Sequence, residues 1–175
     1  MAVDRATAAD LMSFASERGA LPMQVGAAIM LDCSDGFEPA ELARQISDRS
    51  RAVPRLGQCL VAVPRGCGRP VWVDDTDRDA ASPVETVDCP EPRGEEGVLA
   101  LAADLVCREL PRDRPLWRAA VVTGVGPDQA ALILVHHHVL GDGVAGLAVL
   151  SALADRAAVS PDVSAPDVSA PDVSA

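Results

Sequence analysis

The chain has 175 residues, 49% hydrophobic and 23% charged, enough for one globular domain with a real core. Its net charge of −11, with arginine as the only strong base, argues against a nucleic-acid partner and against docking on an anionic membrane by charge alone. No apolar run reaches the length of a transmembrane helix, and MAVDRATAAD is too polar for a signal peptide, so a cytoplasmic location is expected.

Thr7 and Asp10 have the spacing of a capping box, with Asp in the place usual for Glu. They open a short helix through Leu11, Met12 and Phe14 that is predicted to end near Gly19, with Pro22 as a breaker. Val25 to Leu31 (VGAAIML) reads as a strand. Pro39 opens a second helix, in which Leu42 and Ile46 share a face and Val53 ends the stripe. Leu56–Val63 and Val71–Val73 read as short strands around the loop PRGCGRP. Asp74 to Gly97 is polar and reads as a loop with one weak strand near Val84–Val87. Val98–Leu110 is predicted helical, with Val98, Leu101, Ala102 and Leu105 on one side and Pro111 and Pro115 after it.

The clearest strands are Trp117–Thr123 and Gln129–His138, joined by a turn that carries Gly124, Gly126 and Pro127. AALILV in the second is apolar at every residue, so it belongs in the middle of a sheet covered on both faces. Beyond the glycines, Val144, Leu147, Leu150 and Leu153 recur as a helical stripe. Residues 161–175 are three copies of PDVSA, too poor in apolar surface to offset chain entropy, and are expected to be disordered. The expected organisation is a domain over 5–157 and a tail over 158–175. The cysteines (Cys33, Cys59, Cys67, Cys89 and Cys107) are odd in number and scattered, which favours reduced thiols, mostly in the core.

All three histidines of the chain stand together at the end of the apolar strand, as His136, His137 and His138, ahead of Gly141-Asp142-Gly143. Three chemistries fit. Buried imidazoles serve as hydrogen-bonded filler if each finds polar partners. If the strand continues, His136 and His138 share a face, and with Asp142 they supply three metal ligands. A histidine held in one tautomer at a strand end, beside glycines that let the backbone bend, is also suited to general base catalysis near neutral pH. Asp142 would then pair with an arginine or orient a ring nitrogen. No GxSxG is present, so the hydroxyl to be activated would come with the substrate.

His137-His138-Val139-Leu140-Gly141-Asp142-Gly143 forms HHxxxDG, which resembles the active-site motif of the CoA-dependent acyltransferase superfamily. Within it, the chain is most similar to the bacterial wax ester synthase/diacylglycerol acyltransferases. LPMQVGAAIML (21–31) is similar to the family's PMHVG strand, with Gln24 where His is usual. VPRLGQCLVAVPRGCGRPVWVDD (53–75) is similar to its GRPxW segment, and LPRDRPLWRAAVVTGV (110–125) to its LDRxRPLW block. GVAGLAVL after the motif is similar to the small-residue helix placed there. The resemblance covers about residues 5–155.

It implies an α/β two-layer sandwich of the chloramphenicol acetyltransferase type, with a mixed sheet and helices mainly on one face. It implies that His138 is the general base that deprotonates an acceptor alcohol for attack on an acyl-CoA thioester. His137 would support the site, Asp142 hold the loop, Gly143 allow its turn, and Arg114 to Trp117 build the fold. Acyl-CoA is then a co-substrate, no metal or other cofactor is called for, and the acceptor is a long-chain alcohol or diacylglycerol. Peripheral contact with membrane or lipid inclusions fits such an acceptor.

Two features depart from the family. The Phe of its D-x-x-F-D continuation is missing after Asp75, and the motifs of its second half are absent. The resemblance therefore implies a truncated form, the N-terminal half alone, whose cleft would need self-association or a separate C-terminal half to close it. The competing expectations are a condensation-type domain acting on carrier-bound thioesters, and a catalytically silent binding or dimerisation remnant.

Overall fold

The computed structural model describes residues 4–17, 22–36, 38–76, 82–141 and 153. Strand β1 (Asp4–Arg5) leads into helix α1 (Ala8–Ser16). The capping box is present: the Thr7 side chain accepts from the Asp10 amide, and the Thr7 amide donates to the Asp10 carboxylate. The helix ends at Ser16 rather than near Gly19, and Glu17 is its C-cap. Then follow β2 (Gln24–Asp32), α2 (Pro39–Ser50), a 3₁₀ turn (Pro54–Gly57), β3 (Gln58–Val61), β4 (Val71–Asp74), β5 (Val84–Asp88), α3 (Glu95–Cys107), β6 (Trp117–Gly126) and β7 (Gln129–His137).

The main sheet has the order β2-β7-β6-β5. β7 is antiparallel to β2 and β6, whereas β5 runs parallel to β6, so the sheet is mixed as expected. β7 lies inside the sheet because it has no polar face to offer water. Ala131, Ile133 and Val135 meet Val98 and Leu105 of α3 on one side. Leu134 meets Ile46 of α2, Trp117 and Leu153 on the other.

The α/β class therefore stands, but the long helices take opposite faces instead of gathering mainly on one. Strands apolar on both faces need cover on both. A second sheet, β1-β4-β3, leans on α1, and the Trp72 indole donates to Asp10 Oδ2 at 3.1 Å.

Several boundaries differ from expectation. Residues 54–57 form the 3₁₀ turn ahead of β3, and α3 begins three residues before Val98. The weak strand near 84–87 is a full parallel edge strand. Gly124 adopts φ 66° in the irregular stretch between Val122 and Gly126, where a side chain would meet Arg93. Of the cysteines, all free, only Cys59 and Cys89 are buried; Cys67 and Cys107 are exposed, contrary to a mostly core placement. Trp117 is a core residue as expected, 2% exposed, and its indole donates to the Leu56 carbonyl at 2.8 Å. Among the described residues no helix is long and apolar enough to cross a membrane. The expected helix after Gly143, apart from Leu153, and the PDVSA repeats lie outside the described residues.

Candidate active site

The histidines stand where three of the sequence signatures meet. Gln24 of PMQVG pairs with His137, and Trp117 of RPLW pairs with His136. Past the last ladder position, the His137 amide donates to the Leu116 carbonyl at 2.9 Å and the His138 amide to the Met23 carbonyl at 2.8 Å. Both neighbours of β7 thus grip the backbone at the point where the strand ends. The strand gives way to a 3₁₀ turn, His138–Leu140, one residue earlier than expected.

The turn is held from inside by His137, whose ring is buried and stacked on Phe14 with centroids 4.6 Å apart. Its Nδ1 accepts the Val139 amide at 3.0 Å, so the ring proton sits on Nε2, which donates to Glu17 Oε1 at 2.8 Å. Glu17 Oε1 also accepts the Met23 amide at 3.2 Å, and Oε2 pairs with Arg112, whose guanidinium lies 4.9 Å over the Phe14 ring.

The two partners settle in matching charge states. Burial lowers the His137 pKa, outweighing the pull of Glu17 upward, with Arg112 and His138 also lowering it. Burial raises the Glu17 pKa, but the bonds from His137 and Met23 and the charge of Arg112 outweigh it and bring it below the usual value. The pair is a neutral imidazole donating to a carboxylate.

His138 is different. It is half-buried at the first position of the turn, and its ring makes no hydrogen bond to a described residue. His136 is buried, with Nδ1 3.2 Å from the His137 carbonyl. Among the described residues no three His, Cys, Asp or Glu side chains are arranged to hold a metal. Asp142 and Gly143 lie outside the described residues.

Glu17, Phe14 and Arg112 were not legible as site residues, because they meet His137 only through the tertiary fold. Gln24 was noticed only as a departure from the family pattern. Its amide Nε2 donates to the Val106 and Arg108 carbonyls at 2.6 and 3.0 Å, and its Oε1 accepts the Leu110 amide at 2.8 Å. It closes the C-terminal end of α3, where carbonyls lack helical partners. Gly26, two residues on, lets α3 come close: a Cβ there would lie 2.3 Å from Val106 Cγ2. Arg114 of RPLW lies 4.0 Å from the carboxylate of Asp75, a half-buried residue whose side chain is 8% exposed.

Comparison with known proteins places the chain in a family. Residues 7–174 match the wax ester synthase/diacylglycerol acyltransferase catalytic domain. The probable diacylglycerol O-acyltransferase tgs3 of Mycobacterium tuberculosis is 34% identical over 155 residues, covering 88% of this chain and 57% of that protein. The probable diacylglycerol O-acyltransferase tgs1 of the same organism is 37% identical over 110 residues, covering 63% of this chain and 24% of that protein. Among solved structures, the wax ester synthase/diacylglycerol acyltransferase from Marinobacter aquaeolei VT8 superposes with a TM-score of 0.71 at 25% identity, covering 82% of this chain and 36% of that one. The starter condensation domain of rhizomide synthetase RzmA reaches the same TM-score at 13% identity, over 88% of this chain and 38% of that one, a likeness of fold alone. The chain spans a little over half the length of tgs3 and about a third of the Marinobacter enzyme.

Proposed function

Because the chain belongs to the wax ester synthase/diacylglycerol acyltransferase family, we propose that it transfers a fatty acyl group from acyl-CoA to a long-chain alcohol or diacylglycerol, with His138 as general base. The observation that supports this most is the contrast between adjacent imidazoles. His137 has both ring nitrogens committed, whereas His138 has a half-buried ring with no partner among the described residues. A base must be fixed in place yet keep a nitrogen for its substrate.

In the proposed reaction His138 takes the proton of the acceptor hydroxyl as its oxygen attacks the thioester carbonyl. The tetrahedral intermediate collapses, the carbon–sulfur bond breaks, and the proton on His138 passes to the CoA thiolate. His137 and Glu17 hold the turn; Asp142 and Gly143 are proposed to secure its far side. Acyl-CoA is a co-substrate and no further cofactor is required. The chain covers 57% of tgs3, and the proposed reaction calls for polypeptide beyond these residues to close the cleft against water. A peripheral position at a membrane or lipid inclusion would bring the acceptor within reach.

The test is release of free CoA from palmitoyl-CoA in the presence of hexadecanol or a diacylglycerol. Acceptor-dependent release that His138→Ala abolishes, with the fold intact by circular dichroism, is the expected result. Release that survives His138→Ala refutes the assignment of the base.

A further inference from the structure

Apart from the histidine turn, three arginines line one cleft of about 310 Å³ beside the start of β5. Arg108 stands at the end of α3, Arg114 in the connection that follows, and Arg118 near the start of β6. Pro83, Leu110 and Trp117 provide apolar walls. Such a gathering of cations runs against the composition of a chain with net charge −11.

The charges there are unevenly matched. Arg108 pairs with Asp104 on its own helix at 2.6 Å, and Arg114 lies 4.0 Å from Asp75. Arg118 has no carboxylate within ion-pair distance among the described residues; its Nη2 donates to the Glu109 backbone carbonyl at 2.8 Å. Glu85, also in the wall, attracts it from farther away, as does Asp104. Burial first, then repulsion from Arg108, push the Arg118 guanidinium down from its ordinary value. A half-buried cation beside another cation is costly in the folded chain unless an anion joins it.

We propose that the cleft formed by Arg108, Arg114 and Arg118 binds a phosphate group. Two carboxylates, Asp75 and Glu85, line it as well, and Asp104 pairs with Arg108 from outside the lining, so the guanidinium with no carboxylate at ion-pair distance among the described residues is that of Arg118. A phosphate suits it better than a carboxylate, because it can be a dianion and offers oxygens to more than one guanidinium fork at once. Trp117, part of the wall, pairs with His136, so a phosphate held here lies one strand across from the histidine turn. The group could come from a nucleotide, from a phospholipid headgroup or from free phosphate, and the recognition chemistry is the same.

Isothermal titration of the full chain at low ionic strength, with adenosine 3′,5′-bisphosphate and separately with inorganic phosphate, tests the site. Sedimentation with phosphatidylcholine vesicles containing phosphatidic acid forms a third arm. Arg118→Gln should weaken binding at least tenfold, whereas Arg44→Gln, on the exposed side of α2, should leave it unchanged. If Arg118→Gln does not fold by circular dichroism, Arg108→Gln, exposed at the helix end, carries the comparison. Tighter binding of the bisphosphate than of phosphate assigns a nucleotide; vesicle binding that Arg118→Gln abolishes assigns a lipid headgroup; equal binding of bisphosphate and phosphate assigns phosphate alone. The proposal is overturned if none of the three binds the unaltered chain, or if both arginine variants bind as it does. The readout is binding rather than turnover, so it stands or falls apart from acyl transfer.

Discussion

Replacing Glu17 by alanine isolates what holds the histidine turn. The His137 side chain is 4% exposed, and Glu17→Ala leaves its Nε2–H without an acceptor where water has little access. A buried donor stranded in this way costs about 1–3 kcal/mol. The Arg112 pair adds about 0–1 kcal/mol, because the arginine side chain is 56% exposed and solvent screens it. The Met23 amide is half-buried, and water can replace its bond. The expected loss is therefore about 1–4 kcal/mol, or a fall in Tm on the order of 10 °C for a chain of this size. Glu17→Gln keeps an acceptor oxygen for His137 and should lose only about 1 kcal/mol. Urea unfolding followed by far-UV circular dichroism, with a thermal melt beside it, measures both. An alanine variant within about 0.5 kcal/mol of the parent, inside the range of ordinary surface substitutions, would refute the account of the turn.

Stability should also fall on mild acidification. The folded His137 has a pKa below its ordinary 6.5, so below that pH the unfolded chain takes up a proton that the folded chain refuses. Unfolding free energy is then at its plateau above the ordinary histidine value and declines as pH drops through it. Glu17, depressed below 4.5, adds a second decline at lower pH as it too is protonated. His137→Gln should flatten the first limb of a pH series of urea titrations while leaving the second; an unchanged first limb counts against a neutral, buried His137. Gly97→Ala should destabilise by about 2 kcal/mol or more, the reverse of the roughly 1 kcal/mol gain usual in a helix interior, because the added Cβ would lie 2.5 Å from the Pro90 and Pro92 carbonyls. A thermal melt decides the sign. Gln24→Ala should cost about 1–3 kcal/mol by stranding the buried Leu110 amide, and hydrogen exchange at Leu110 should quicken with it.

Much of the fold was legible because local chemistry and tertiary need agree. Thr7 and Asp10 cap a helix whatever surrounds them, and AALILV had to be an inner strand since neither of its faces tolerates water. β5 was faint because an edge strand such as VETVD keeps polar residues, and its parallel partner comes only after an intervening helix. The spread of helices over both faces was already implicit in the two-sided strands, but the family likeness drew the expectation to one face. At the site, the trio of histidines was conspicuous, while the residue that fixes the middle one was not: Glu17 and His137 are 120 positions apart. Nothing near Glu17 sets it apart from a surface carboxylate. Gln24 was equally silent, since its three bonds reach a helix end about 80 residues away.

The tautomer of His137 constrains how a hydrogen ion can travel. With one nitrogen filled by a main-chain amide and the other already carrying a proton toward Glu17, this ring has no vacancy to receive one from next door. A chain of handovers from His138 inward to the carboxylate is thereby blocked. Under the base role proposed for His138, a proton taken by that ring must be surrendered by the same ring, to the departing sulfur or to solvent.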